Sequence, residues 1–145
     1  MSSYINFYVE KNNVYIPIGS YSRNNPMYRC GGNFTPYEGG RILDHDVFGW
    51  FEEEFEEEIK DLKNSIERYN KENELIKDIS GATLNEKLER ITENEAFIEE
   101  CKEELDLCEA QLNHLRFLYN INDDYDKVTV WVGIEWNPNY KEEEN

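Results

Sequence analysis

Phe48, Phe55, Leu62, Tyr69 and Ile76 recur every seventh residue, and Ile59, Ile66 and Asn73 fill the alternate positions between them. A strand cannot satisfy such a repeat, because its side chains alternate with a period of two. A helix can, but it is left with one narrow apolar seam that another helix must cover. The stretch FGWFEEEFEEEIKDLK, residues 48–63, sets six glutamates around the first turns of this seam. Asp44 or Asp46 can accept hydrogen bonds from the free N–H groups at the start of the helix. The end is expected near Ser80-Gly81, glycine being favoured just past a helix terminus.

A partner helix follows at once. Thr83-Leu-Asn-Glu86 has the spacing of a capping box, in which the threonine and the glutamate each satisfy a free backbone N–H. Its apolar stripe runs Leu84, Leu88, Ile91, Ile98, Cys101, Leu105, Cys108, Leu112, Leu115, Tyr119. The steps from Leu88 to Ile91 to Asn94 are three and three, which overwinds a coil locally. At 1.5 Å per residue the helices reach roughly 45 and 55 Å. So short a link around Gly81 makes them an antiparallel hairpin.

The ends of the chain read as β-structure. Tyr4–Val9 and Val14–Ile18 are rich in aromatic and β-branched residues, and Glu10-Lys-Asn-Asn13 between them is turn chemistry. Pro17 lacks an N–H, which suits an edge strand. Gly19–Gly40, rich in Gly, Asn, Ser and Pro, reads as a long loop. Asn122–Asp126 reads as a turn into a last strand, Val128–Trp136. The expected fold is α+β: a small three-stranded antiparallel sheet, made of the N-terminal hairpin and the C-terminal strand, with a long coiled-coil hairpin. A single domain is expected, with residues 1–45 as hairpin and loop, 46–120 as helices, 121–136 as the last strand and 137–145 as a frayed acidic tail.

Charge narrows the partners. The formal net charge is −17 over 145 residues. Residues 1–45 carry four basic and three acidic side chains, against eleven and twenty-nine over residues 46–145. So acidic a body repels nucleic acid and anionic membrane and favours a basic protein. Ten Tyr, seven Phe and three Trp argue against a disordered chain. No apolar run is long enough for a membrane span, and MSSYINFYVEKNN has neither the basic start nor the cleavage site of a signal peptide. Three cysteines, Cys30, Cys101 and Cys108, lack the spacing of a metal or disulfide framework, and a reducing cytoplasm is expected.

Two surfaces stand out. Glu53, Glu54, Glu57 and Asp61, flanked by Trp50 and Phe51, could offer a row of carboxylates and two aromatic anchors to a basic partner. A solvated helix face explains the same glutamates, and packing on the sheet explains the same aromatics. Tyr21, Arg23, Tyr28 and Arg29 could hold a nucleotide-type small molecule between guanidinium and ring. The arginines could equally pair with the protein's own carboxylates. Asp44-His45-Asp46 is better explained by capping than by metal binding, and Cys101 and Cys108 read as seam filler. His114 has no evident nucleophile partner. No GxSxG, HExxH or phosphate-cradling glycine loop is present, so neither catalysis nor a cofactor or metal is expected.

Tyr4-Ile-Asn-Phe-Tyr-Val9 followed by Tyr15-Ile-Pro-Ile-Gly-Ser-Tyr-Ser-Arg23 resembles the opening of small uncharacterised acidic proteins from bacteriophages of Gram-positive hosts. The resemblance covers most of the chain in layout and about twenty residues in motif. It implies a phage-encoded inhibitor of host defence and carries over no catalytic residue. The leading expectation is a non-enzymatic protein, dimeric and cytoplasmic, that inhibits a basic host protein through its acidic helical surface. A protein that sequesters a nucleotide-type signal and a structural coiled-coil adaptor are the alternatives. Neither nucleic acid nor membrane is an expected partner.

Overall fold

The computed structural model describes residues 4–31, 41–121 and 127–133. Strands β1 (Tyr4–Lys11) and β2 (Val14–Ser22) form an antiparallel hairpin closed by Asn12 and Asn13. Both asparagines have positive φ, 53° and 65°, the conformation that a two-residue hairpin turn demands and that asparagine tolerates. Strand β3 (Arg41–Ile42) and strand β4 (Lys127–Gly133) complete a sheet of order β2-β1-β4-β3. The β4 strand runs antiparallel to β1, from Tyr4 opposite Gly133 to Glu10 opposite Lys127.

The antiparallel sheet and the long helical hairpin are as the sequence leads one to expect, with three differences. The sheet has a fourth strand, β3, whose two residues are too short to leave any periodicity. Strand β2 continues through Gly19–Ser22, because Ser22 pairs with Tyr4 and the ladder uses all of β1. The expected loop also contains helix α1 (Pro26–Gly31). Its start is set by Asn25, whose Oδ1 accepts from the Met27 N–H at 2.9 Å, and by Pro26, whose missing N–H costs nothing in a first turn. Pro17 lies on the edge strand β2, at a bulge where Tyr8 faces Pro17 and Phe7 faces Gly19. The Asn122–Asp126 turn, residues 134–136 of the last strand and the acidic tail lie outside the described residues.

The long helices are α2 (His45–Asp78) and α3 (Leu84–Asn120). Contacts divide the chain into two compact units, residues 1–55 with 111–145, and residues 56–110. The first unit holds the sheet. Its buried set comprises Ile5, Phe7 and Val9 of β1, Val128 and Val130 of β4, Met27 and Cys30 of α1, Leu43, Phe51 and Phe55, and Leu112, Leu115 and Leu118 of α3. Packing is tight where α1 ends. A Cβ on Gly31 would lie 2.4 Å from the Phe51 ring and 2.7 Å from Ile5, so glycine is required by close approach.

The second unit, residues 56–110, contains the turn of the hairpin. Gly81, at φ 94°, turns the chain, and the Glu86 N–H donates to Thr83 Oγ1 at 3.2 Å, as the capping sequence predicts. Ile76, Asn94, Ile98 and Cys108 are buried, and Ile59, Leu62, Ile66, Tyr69 and Asn73 are half-buried along α2. Leu84 and Leu88 depart from the expected seam, at 71% and 52% exposed. Antiparallel pairing explains this: α2 ends at Asp78, so Leu84 lies past its last turn and Leu88 is level with its end, where Lys87 Nζ donates to the Lys77 carbonyl at 3.4 Å.

Candidate functional site

Helix α2 begins at a cap. The Val47 N–H donates to Asp44 Oδ1 at 2.9 Å, which fixes Asp44 rather than Asp46 as the capping residue. From that start, Phe51 and Phe55 turn into the core of the sheet unit, and of the glutamates between them Glu53 is carried outward. Phe51 is fully buried, its ring centroid 6.3 Å from that of Phe7. It is therefore a packing residue and not an exposed anchor, because the sheet needs its apolar area. Trp50 is half-buried, its ring edge-on to Phe51 at 5.7 Å. Glu53 is exposed, Glu54 is half-buried, and Glu52 pairs with Arg116 of α3 at 3.4 Å.

In the hairpin unit, Glu56, Glu57 and Asp61 are exposed and Glu58 is half-buried. The antiparallel register supplies something the α2 sequence does not show. Asn73 meets Asn94, Tyr69 stacks on Phe97, and Glu58 lies near Cys108, so each step back along α2 is matched by a step forward along α3. Residues 56–61 thus run beside residues 103–109. Within these two stretches are eight carboxylates (Glu56, Glu57, Glu58, Asp61, Glu103, Glu104, Asp106 and Glu109) and one ammonium, Lys60. Six of the eight are exposed, all but Glu58 and Glu104. The α3 carboxylates are functional candidates that reading α2 alone misses. Combining the two heptad seams in antiparallel register is the signal that finds them.

Nearer the turn the charges are paired. Arg90 lies 2.9 Å from Glu72 and 3.6 Å from Glu93, Lys71 lies 3.3 Å from Glu67, and Lys77 lies 3.8 Å from Glu74. These exposed pairs contribute little to stability, on the order of 0–1 kcal/mol each. They do balance the local field. The potential of the hairpin unit is therefore most negative away from its turn.

The basic and aromatic group is less coherent. The Tyr21 hydroxyl is hydrogen-bonded to His114 Nδ1 of α3, and its ring lies edge-on to Phe7 at 6.0 Å. Burial raises the Tyr21 pKa and lowers that of His114, since each charged form loses hydration. Tyr21 thus belongs to a structural contact within the sheet unit. Arg29 is exposed and donates to the Asn24 carbonyl at 2.8 Å, Arg23 is exposed, and Tyr28 is half-buried. His45 lies 3.8 Å from Asp46, both side chains almost fully exposed, as expected beside a cap. No helix among the described residues is long and apolar enough to cross a membrane.

No match was found among protein-family models, curated proteins or solved structures.

Proposed function

We propose that this protein is a non-enzymatic interaction protein that binds and inhibits a basic host protein through the acidic surface of its helices. The observation that carries the reading is the concentration of eight carboxylates beside one ammonium over residues 56–61 and 103–109. Carboxylates fixed on helices present a stable row of negative charge to a basic groove, in the manner of a phosphate backbone. Like charges this dense disfavour the isolated helix, so a cationic partner has electrostatic repulsion to relieve. Likeness of the N-terminal stretch to small acidic phage proteins supports a host protein of defence or nucleic-acid handling as the target class. It also supports a phage origin and action in the host cytoplasm.

The experiment compares two charge-neutralised variants with the native chain. One carries Glu53→Gln, Glu54→Gln and Glu57→Gln; the other carries Glu103→Gln, Asp106→Asn and Glu109→Gln. All but the half-buried Glu54 are exposed, and glutamine keeps the size of glutamate, so folding is expected to be unchanged or slightly firmer. Both variants should capture a basic host protein more weakly, and the salt dependence of capture should flatten. Equal affinity of all three proteins at every salt concentration would leave the glutamates as a solvated face only.

A further inference from the structure

In the hairpin unit, Glu58 of α2 and Glu104 and Cys108 of α3 converge, with one ligating atom of each within 4.8 Å of the others. Glu104 and Cys108 are four residues apart, so both project from one face of α3, and Glu58 meets them from the facing helix. Cys108 is fully buried and the two glutamates are half-buried. The thiol therefore lies at the dry floor and the carboxylates at the wet rim. We propose that Glu58, Glu104 and Cys108 form a binding site for a zinc-class divalent cation that ties α2 to α3.

Three physical arguments support the assignment. The first is geometric. Zinc binds thiolate at about 2.3 Å and carboxylate oxygen at about 2.0–2.2 Å, which places neighbouring donors of a tetrahedron roughly 3.5 Å apart. The 4.8 Å limit seen here closes to that by rotamer changes of the two half-buried glutamate side chains. The second is electrostatic. The unit carries eighteen acidic and eight basic residues, and two of its carboxylates are brought together beside a thiol. A dication between them is attracted by both carboxylates and by the net negative charge of the unit. The third is ligand chemistry. A thiolate is a soft donor that calcium and magnesium do not favour, whereas two oxygens and one sulfur suit zinc and its near neighbours. Three protein donors leave a fourth position for water. On binding, the thiol proton passes to solvent as the sulfur–metal bond forms.

Titration of the full, reduced chain with Co²⁺ as the spectroscopic probe tests the site. The expected result is saturation at a single equivalent, with a thiolate-to-cobalt charge-transfer band in the near ultraviolet, reversed by Zn²⁺. The band should vanish in Cys108→Ala and persist in Cys101→Ala. Because Cys108 is a core residue, Glu58→Gln and Glu104→Gln provide the second arm. Each should weaken binding by more than the about tenfold lost with an outer-shell partner. Absence of the band in the native chain, its survival in Cys108→Ala, or native affinity in both glutamine variants would each overturn the proposal.

Discussion

His114 shows how a single residue of the sheet unit ties stability to pH. Its ring is hydrogen-bonded to Tyr21 and lies 5.6 Å from the tyrosine ring, and burial lowers its pKa below 6.5. The folded state thus binds the imidazole proton less readily than the unfolded state. Above both pKa values the two states are equally neutral and the group contributes nothing. As pH falls through the unfolded value, near 6.5, the unfolded chain takes up the proton first and stability declines. A chain this acidic also loses carboxylate repulsion on acidification, which acts in the opposite direction, so the comparison must be differential. The native melting temperature should fall relative to that of His114→Gln between about pH 7.5 and 5.5. Parallel melting curves for the two proteins would show that His114 is not linked to folding.

At the scale of elements, the seam of the helical hairpin contains a polar pair, the buried Asn94 and the half-buried Asn73. Asn94 is fully buried and donates through Nδ2 to Asn73 Oδ1 at 2.8 Å, in a seam otherwise filled by Ile76, Ile91 and Ile98. A polar residue at one seam position lowers stability but pins register, because any slip leaves it facing apolar side chains. Asn94 Oδ1 has no hydrogen-bond partner among the described residues, which adds to the cost. Asn73→Leu alone strands the Asn94 amide and should destabilise by about 1–3 kcal/mol. Asn73→Leu with Asn94→Leu should recover that loss or exceed it. Denaturant unfolding of the two single variants and the double variant checks this, and additive losses would mean the asparagines do not act as a pair.

For the molecule as a whole, apolar exposure and charge are arranged in a way that bears on self-association. Leu75, Ile79, Leu84 and Leu88 are 67%, 49%, 71% and 52% exposed around the hairpin turn. Residues 75–90, which contain them, carry three acidic and three basic side chains. This balanced stretch can therefore approach a second copy without the repulsion felt elsewhere on a chain of net charge −17. Dimer formation is expected at tens of micromolar. It should strengthen as salt rises from roughly 50 to 300 mM, which shortens the Debye length from about 14 to about 6 Å and screens the remaining like charge. Capture of a basic partner should weaken over the same range, so the two associations are separable by their salt dependence. A monomeric mass by light scattering throughout would count against the dimer.

The helical hairpin, both of its caps and the strand character of the chain ends were legible in the residues, because they are local or periodic. A seven-residue repeat, an Asp or Thr before a helix and a glycine at its turn act within a few positions. Strand β3, the continuation of β2 and helix α1 were not legible, since pairing with the distant β4 decides the first, the full length of β1 decides the second, and the third is too short to leave a periodicity. The sequence leaves Phe51 as either anchor or core, and Phe7 of the sheet and Gly31 of α1 decide for core. The candidate surfaces divide in the same way. Six glutamates of α2 are visible in the sequence, but their neighbours Glu103, Glu104, Asp106 and Glu109 become neighbours only by antiparallel pairing. Cys108 reads as seam filler along α3, and the facing helix brings a carboxylate to it. Sequence determines which face a helix must bury; tertiary structure decides which side chains share the field outside it, because Coulomb interactions depend on distance in space.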